Sequence, residues 1–420
     1  MEGVYLGVEI SMGGAYCKAA YYDPEKKVTK VVYFDDQEYQ IPMSIGKIKG
    51  KSEWYIGREI TKLPRTKVSV IDHLPVFMKG RDKVSIDGEK HSGEELMRIY
   101  MVKFLTHVIK VLGKDGIIRL TFCMESVDAA LADQLVRISE GLGITRKAVQ
   151  VINYKEAFLF FCLAKDPKYR RNECMLFELT NYGLFFYEFV MLRGRRPQPV
   201  IVNMIQLEKK FDVALLKKPL IQKTMDEKFL EHAKKYFNKK LISSVFLEGE
   251  GFKDSSWCKK FKEYICKGRK VYQIEAIYAE GAAANSWIQN DDQYLYLCEG
   301  RVPATVSMNV IKQQGAQENE LQLVLVKAGT NWYDTRSTIE LLLEDSQEIE
   351  LKVEIFGRRL SNTYKIACPK VENRPIKTTR VELNIAFLSD DYLMIRIKDL
   401  GFGELFPSTG LETKEYIRLT

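Results

Sequence analysis

Residues 4 to about 290 carry one order of elements twice, and few folds accept such a repeat. Residues 4–8, 15–22 and 28–34 read as three extended runs joined by short turns, one of them Asp23-Pro24-Glu25. Strand–helix units follow. Ser92-Gly93-Glu94-Glu95 has the capping-box pattern; Leu96, Ile99, Val102, Leu105, Ile109 and Leu112 mark one face of a long helix, and Gly113 ends it. Residues 116–122 read as a strand. Ser126 reads as the cap of a helix with inner face Leu131, Leu135 and Ile138, and residues 150–152 as a strand before a helix over about 156–164. The order then restarts at residues 174–179, with a partner strand at 184–190 and extended residues to Val202. A Lys-rich helical region over 206–240, a strand at 242–247, a helix, a strand at 271–274 and a small-residue helix start at Glu280-Gly281-Ala282 complete it. A hairpin sheet followed by strand–helix units, twice over, predicts a duplicated α/β core.

Near Gln293 the pattern changes. Extended runs at 294–298, 304–310, 321–326, 338–343, 348–355, 381–387 and 393–397 are separated by Gly, Asn, Asp and Pro, with no amphipathic helix between them. This spacing predicts an antiparallel β-sandwich. The expected boundaries are 1–170 and 171–290 for the two α/β halves, 291–299 for a linker or first strand, and 300–420 for the β-domain.

Composition excludes several classes. Apolar residues are 46% and charged residues 29% of 420, as in ordinary globular proteins, and no apolar run approaches the roughly 20 residues that span a bilayer. Met1-Glu2-Gly3 does not begin a signal peptide, so a cytoplasmic protein with no membrane association is expected. The eight Cys are scattered without CxxC spacing and read as reduced core residues; His73, His91, His107 and His232 have no acidic or Cys partner at catalytic or metal-binding spacing. The formal charge is +8, and ten Lys face five acidic residues between Glu208 and Lys240. Lys259-Lys260 and Lys267-Gly268-Arg269-Lys270 add to it, but both stretches alternate with Phe, Leu and Tyr as solvated helix faces do. Zinc-finger spacing, RNA-binding aromatic signatures and an Arg-rich tail are all missing, so nucleic acid is not the expected partner.

The run Val4-Tyr5-Leu6-Gly7-Val8-Glu9-Ile10-Ser11-Met12-Gly13-Gly14 is a strand entering a Gly turn, whose bare amides can face an anion. Together with later segments it resembles the Hsp70 chaperones of the actin and sugar-kinase superfamily. Gly7 to Gly13 is similar to that family's first phosphate loop, and Pro42 and Ile56-Gly57 stand where it has a Pro and an Ile-Gly. Val151-Ile152-Asn153 resembles the start of its connecting helix, and Phe177-Glu178-Leu179 its second phosphate loop. Leu247-Glu248-Gly249-Glu250-Gly251 is similar to the adenosine loop, with Gly281-Ala282-Ala283 in the helix after it. Residues 386–395 resemble a strand, acidic turn and strand of the peptide-binding domain. The resemblance implies a duplicated two-lobe ATPase fold joined to a β-sandwich. It implies a nucleotide cleft at Glu9, Ser11, Gly13, Glu178, Gly183, Gly249, Gly251 and Gly281.

The chemistry departs from that family. Its first-loop Asp is Glu9, and the hydroxyls that follow are Met12 and Gly13. Its catalytic Glu falls on Tyr154, and its triple glycine becomes Thr180-Asn181-Tyr182 before Gly183. Phosphoryl transfer needs metal-positioning carboxylates and open amides around the phosphates. The expectation is therefore no ATP hydrolysis, with ADP or ATP absent or weakly bound and no metal. Thr420 follows closely on the last run, so the family's helical lid is not expected. The reading is a catalytically degraded Hsp70-like scaffold for a protein or extended peptide. Its groove is expected at Phe387, Tyr392 and Met394 beside Asp390-Asp391, with self-association open to it. A divergent ATPase or nucleotide-gated sensor, and a module for an acidic surface or nucleic acid, are the alternatives.

Overall fold

Val4, Leu6, Val8 and Ile10 are buried, and so are Gly7 and Glu9 between them, because the first strand is covered on both faces. It is β1 (Gly3–Ser11), followed by β2 (Tyr16–Asp23) and β3 (Val28–Val31) in an antiparallel meander. The computed structural model describes residues 3–35, 38–78, 83–288, 291–314, 317–344, 348–358, 361–371 and 374–419. The chain divides into two compact units, Met1–Gly194 with Val200–Asp292, and Arg195–Pro199 with Gln293–Thr420.

In the first unit, helix α1 (Gly93–Leu112) has Ser92 accepting from the Glu95 amide at 3.1 Å and Gly113 in the left-handed conformation at its end. Its buried stripe is rotated from the expected one. Met97, Tyr100, Met101, Phe104 and Val108 join Leu96 and Leu105 inside, while Ile99, Val102, Ile109 and Leu112 are half-buried. The larger side chains take the core. Strand β4 (Gly116–Met124) follows, and helix α2 (Ala129–Glu140) is capped by Asp128 rather than Ser126. Strand β5 (Val149–Asn153) leads directly into helix α3 (Tyr154–Ala164), where Asn153 and Glu156 cap reciprocally. The sheet order is β5-β4-β1-β2-β3, with β1, β4 and β5 parallel.

The same order and strand senses recur. Strands β6 (Glu173–Thr180), β7 (Gly183–Met191) and β8 (Gln198–Lys209) form a second meander, so residues 206–209 are strand, not helix. Helix α4 (Pro219–Phe237), strand β9 (Ile242–Glu248), helix α5 (Lys259–Ile265), strand β10 (Lys270–Gln273) and helix α6 (Ile277–Ile288) follow. The order is β10-β9-β6-β7-β8, with β6, β9 and β10 parallel. Phe177 anchors one core here, its ring 5.1–6.1 Å from those of Phe186, Phe229, Phe237 and Phe261.

Helix α6 packs on β1, β2 and β4 and against α3, and glycines permit the approach. A Cβ on Gly7 would lie 2.1 Å from the Ala283 amide nitrogen, and one on Gly281 1.9 Å from the Ala157 carbonyl oxygen. Gly281 is thus four residues inside its helix, at a backbone crossing.

The second unit holds strands β11 (Ala304–Gln314), β12 (Gln317–Val326), β13 (Ser337–Leu343), β14 (Glu348–Ile355), β15 (Asn362–Ala367), β16 (Thr379–Ser389), β17 (Tyr392–Asp399) and β18 (Glu412–Arg418). They form two four-stranded sheets, β12-β11-β14-β15 and β13-β16-β17-β18. Both contribute to one apolar core, Val306, Leu351 and Val353 from the first, Leu383, Ile385 and Ile395 from the second. Strands β15 and β18 were not expected from sequence: each lies at a sheet edge and buries a single side chain, Ile366 and Ile417, so alternation is faint. Phe387 is in this core, whereas Tyr392 and Met394 face the other way, Tyr392 stacked on Tyr416. The three therefore do not share a groove. Arg374 donates to both oxygens of buried Asp399, at 2.6 and 2.9 Å. Burial works against the charge, yet Arg374 and the Thr409 and Gly401 amides hold Asp399 well below the usual carboxylate range.

Gly281→Ala is expected to destabilise the first unit by about 1–3 kcal/mol, the range for overpacking a tight contact. Urea denaturation followed by tryptophan fluorescence measures it. An unchanged midpoint would refute the close-approach account.

Candidate functional site

The C-terminal ends of the inner parallel strands of both sheets converge, as they do where ligands bind in open α/β folds. Glu9 stands near the end of β1, Glu125 just beyond β4, Glu178 near the end of β6 and Glu248 at the end of β9. Glu125, Glu178 and Glu248 line a cavity of about 810 Å³ that also touches Ser11, Lys18, Tyr182 and Gly249.

Lys18 comes from β2, directly opposite Glu9 in register. Its Nζ lies 3.1 Å from Glu248 Oε1 and 3.4 Å from Glu9 Oε1, all three side chains at most 3% exposed. Burial opposes the ammonium charge, but Glu248 and Glu9 overcome it and hold the pKa of Lys18 above its ordinary value. The Tyr154 hydroxyl donates to Glu9 Oε1 at 3.4 Å, and its ring stacks on Tyr278 at 3.9 Å. Tyr278 donates to Glu178 Oε2 at 2.6 Å, and Tyr187 donates to the same oxygen at 3.2 Å. One connected network thus runs from Glu248 through Lys18, Glu9 and the tyrosine pair to Glu178.

A second internal contact fills the first Gly turn. Glu125 accepts from Ser11 Oγ at 3.0 Å and from the Met12 and Gly13 amides at 3.3 Å each. Ser11 Oγ accepts in turn from the Gly14 amide at 3.0 Å. The anion that this turn is built to face is the chain's own carboxylate. Across the cavity, the Tyr182 hydroxyl donates to the Gly13 carbonyl, tying the turn after β6 to the turn after β1. Asn181 Nδ2 reaches Glu250 Oε2 at 2.9 Å, linking the β6 turn to the loop after β9.

Of the residues expected from sequence, the structure brings Glu9, Ser11, Gly13 and Glu178 to this network. Gly249 touches the cavity, but its φ of +100° and the Leu179 carbonyl 2.4 Å from a would-be Cβ tie it to a turn packed on β6. Gly251 abuts the Leu179 side chain, Gly183 the Glu208 carbonyl, and Gly281 sits at the α3–α6 crossing. Gly183, Gly249 and Gly281 are thus required by close backbone approach, and Gly251 by the Leu179 side chain. Lys18 and Glu125 were missed. A lone lysine inside the apolar run Tyr16-Cys17-Lys18-Ala19-Ala20, and an acid just after a parallel strand, were the available signals. Among the described residues, no group of three His, Cys, Asp or Glu side chains is arranged to hold a metal ion.

Glu9, Glu178 and Glu248 are each pushed up to about 7, with burial as the largest cause. A carboxyl raised in the folded state binds its proton more tightly there than in the unfolded chain, where it titrates near 4.5. The contribution of these three groups to the stability of the first unit therefore falls as pH rises from 4.5 towards 7 and levels off above. Glu178→Gln is expected to flatten part of that slope, read as melting temperature against pH. Lys18→Met leaves Glu9 and Glu248 facing each other without a counter-charge. It is expected to destabilise by about 3–5 kcal/mol at pH 8 and by less at pH 5, where the acids protonate. Equal losses at both pH values would contradict the ion-pair network.

No curated protein matches the chain. Residues 301–419 match a domain of unknown function (DUF8552). Residues 27–299, well over half of the chain and holding most of the cleft, match the model of the C-terminal part of a family of unknown function (DUF5716). The chain belongs to that family.

Proposed function

We propose that this chain is a non-hydrolysing relative of the Hsp70-type ATPases that acts as a binding scaffold for a protein or extended peptide. The observation that carries the reading is self-occupancy of the cleft. Glu125 takes the hydroxyl and amides of the first Gly turn, and Lys18 takes the position between carboxylates of the two sheets. Magnesium nucleotide does not fit this donor set. Its phosphates would meet the Glu125 carboxylate where amides are needed, and its metal would meet an ammonium already paired with Glu9 and Glu248. Tyr154 stands where the resemblance implies a catalytic Glu, its hydroxyl spent on Glu9. The shared strand order of the two sheets supports the two-lobe reading. A second reading, a nucleoside or nucleotide sensor without turnover, draws on the cavity of about 810 Å³, a volume in the range of small-ligand sites.

Isothermal titration with magnesium ATP and ADP, and phosphate release over hours, test this. The expected outcome is no turnover above that of Glu9→Gln and at most weak binding. Glu125→Ala, which frees the turn amides, is expected to bind tripolyphosphate more tightly than the unaltered chain. Magnesium-dependent turnover that disappears in Glu9→Gln would overturn the proposal.

A further inference from the structure

The end of the second sheet opposite the cleft is strongly basic. Strands β6, β9 and β10 are parallel, so the segments entering them lie side by side at one edge. Lys168, Arg170 and Arg171 precede β6, Lys239 and Lys240 precede β9, and Lys267 and Arg269 lead into β10, which opens on Lys270. Arg193, just past β7, joins them by donating to the Arg171 carbonyl. Residues 208–270 contain 17 Lys or Arg and nine Asp or Glu, an excess equal to the whole chain's +8. Of those nine acids, Glu248 is spent on Lys18 and Asp226 on the Lys260 and Phe261 amides at the start of α5.

Ordinary structural duties account for part of this edge. Lys240 pairs with Glu188 and Glu173, and Lys168 with Asp166 at 3.1 Å. Cations beside the C-termini of α4 and α5 offset the helix dipoles. Arg269 lies over the Phe237 ring at 4.9 Å and donates to the Tyr264 carbonyl at 3.1 Å. Arg171, Lys239 and Lys267 remain without a carboxylate partner among the described residues. Lys270 is held over the Tyr169 ring at 4.4 Å, near enough to Asp166 to add to the hydrogen bonds from Lys168 in lowering the pKa of that carboxyl. Between them stands Leu241, 75% exposed, entering β9. An aliphatic side chain left in water amid unpaired cations suits one kind of surface: carboxylates for the lysines, and an apolar group for the leucine.

We propose that this edge docks an acidic segment of a partner protein that carries an apolar side chain among its carboxylates. A nucleic-acid backbone supplies charge but no counterpart for Leu241, and so is the less favoured occupant. The edge lies a strand's length from the cleft, so the outcome of nucleotide titration does not bear on it.

The test uses the full chain and a fluorescein-labelled peptide of Glu and Asp interrupted by Leu at every third or fourth position. Fluorescence anisotropy is expected to show binding that weakens with added salt. The charge reversals Lys239→Glu, Lys267→Glu and Lys270→Glu together are expected to weaken it by about tenfold or more. Leu241→Ser is expected to weaken it by roughly threefold to tenfold, and the same peptide without Leu to bind correspondingly less. The altered side chains are at the surface, and unchanged melting temperatures verify that the variants fold. Tighter binding of single-stranded RNA, or of phosphatidylserine vesicles, than of the peptide would overturn the proposal. So would no peptide binding, or peptide binding indifferent to Leu241→Ser or to the charge reversals.

Discussion

A lysine ammonium with almost no access to water persists only if carboxylates meet it, and Lys18 meets two. Glu9 comes from the strand beside it and Glu248 from the second sheet, so the ion pairs join the two halves of the first unit at the end where their inner strands converge. Neither carboxylate is comfortable alone: burial pushes each to about 7. Removing the cation exposes the full desolvation penalty of both, which is why a buried pair matters more when broken than when present. The tyrosine stack extends the same linkage to Glu178, the third buried acid.

Around that network the backbone is packed too tightly for most side chains. Gly7 faces the backbone of α6, and Gly281 of α6 faces α3, so one helix of the second half is clamped between a strand and a helix of the first. Such contacts fix the distance between the two halves as firmly as the ion pairs fix their charges. Gly7, Gly183, Gly249 and Gly281, which resemble nucleotide-loop glycines, are therefore explained without a nucleotide. Close backbone approach and ligand access demand the same residue, and only the neighbours tell them apart.

Charge is divided between the ends of the second sheet. At the C-terminal ends of β6 and β9 the acids are buried and internally matched; at the N-terminal ends the cations are exposed, and Arg171, Lys239 and Lys267 have no carboxylate partner among the described residues. A matched, buried network supports the fold, while an unmatched, solvated one remains available to a partner. The proposed scaffold role draws on both ends of one sheet.

Local pattern determined much of this molecule. Alternation and turn residues located β1, β2, β6 and β7, the Ser92 cap and Gly113 stop framed α1, and the repeated order of elements anticipated two sheets of the same strand sequence. Glu9 and Glu178 were legible as the ends of inner strands. The edge strands β15 and β18 were not, because a strand that buries one side chain carries almost no alternation. Nor was the side of Phe387 relative to Tyr392, since the tight turn between β16 and β17 sets which residues share a face. Tertiary structure alone decided the site. Lys18 and Glu248 are 230 residues apart and Ser11 and Glu125 are 114 apart, and no local signal pairs charges across such separations. Only burial makes the pairing obligatory, because a charge that loses water must find its counter-charge wherever the fold places one.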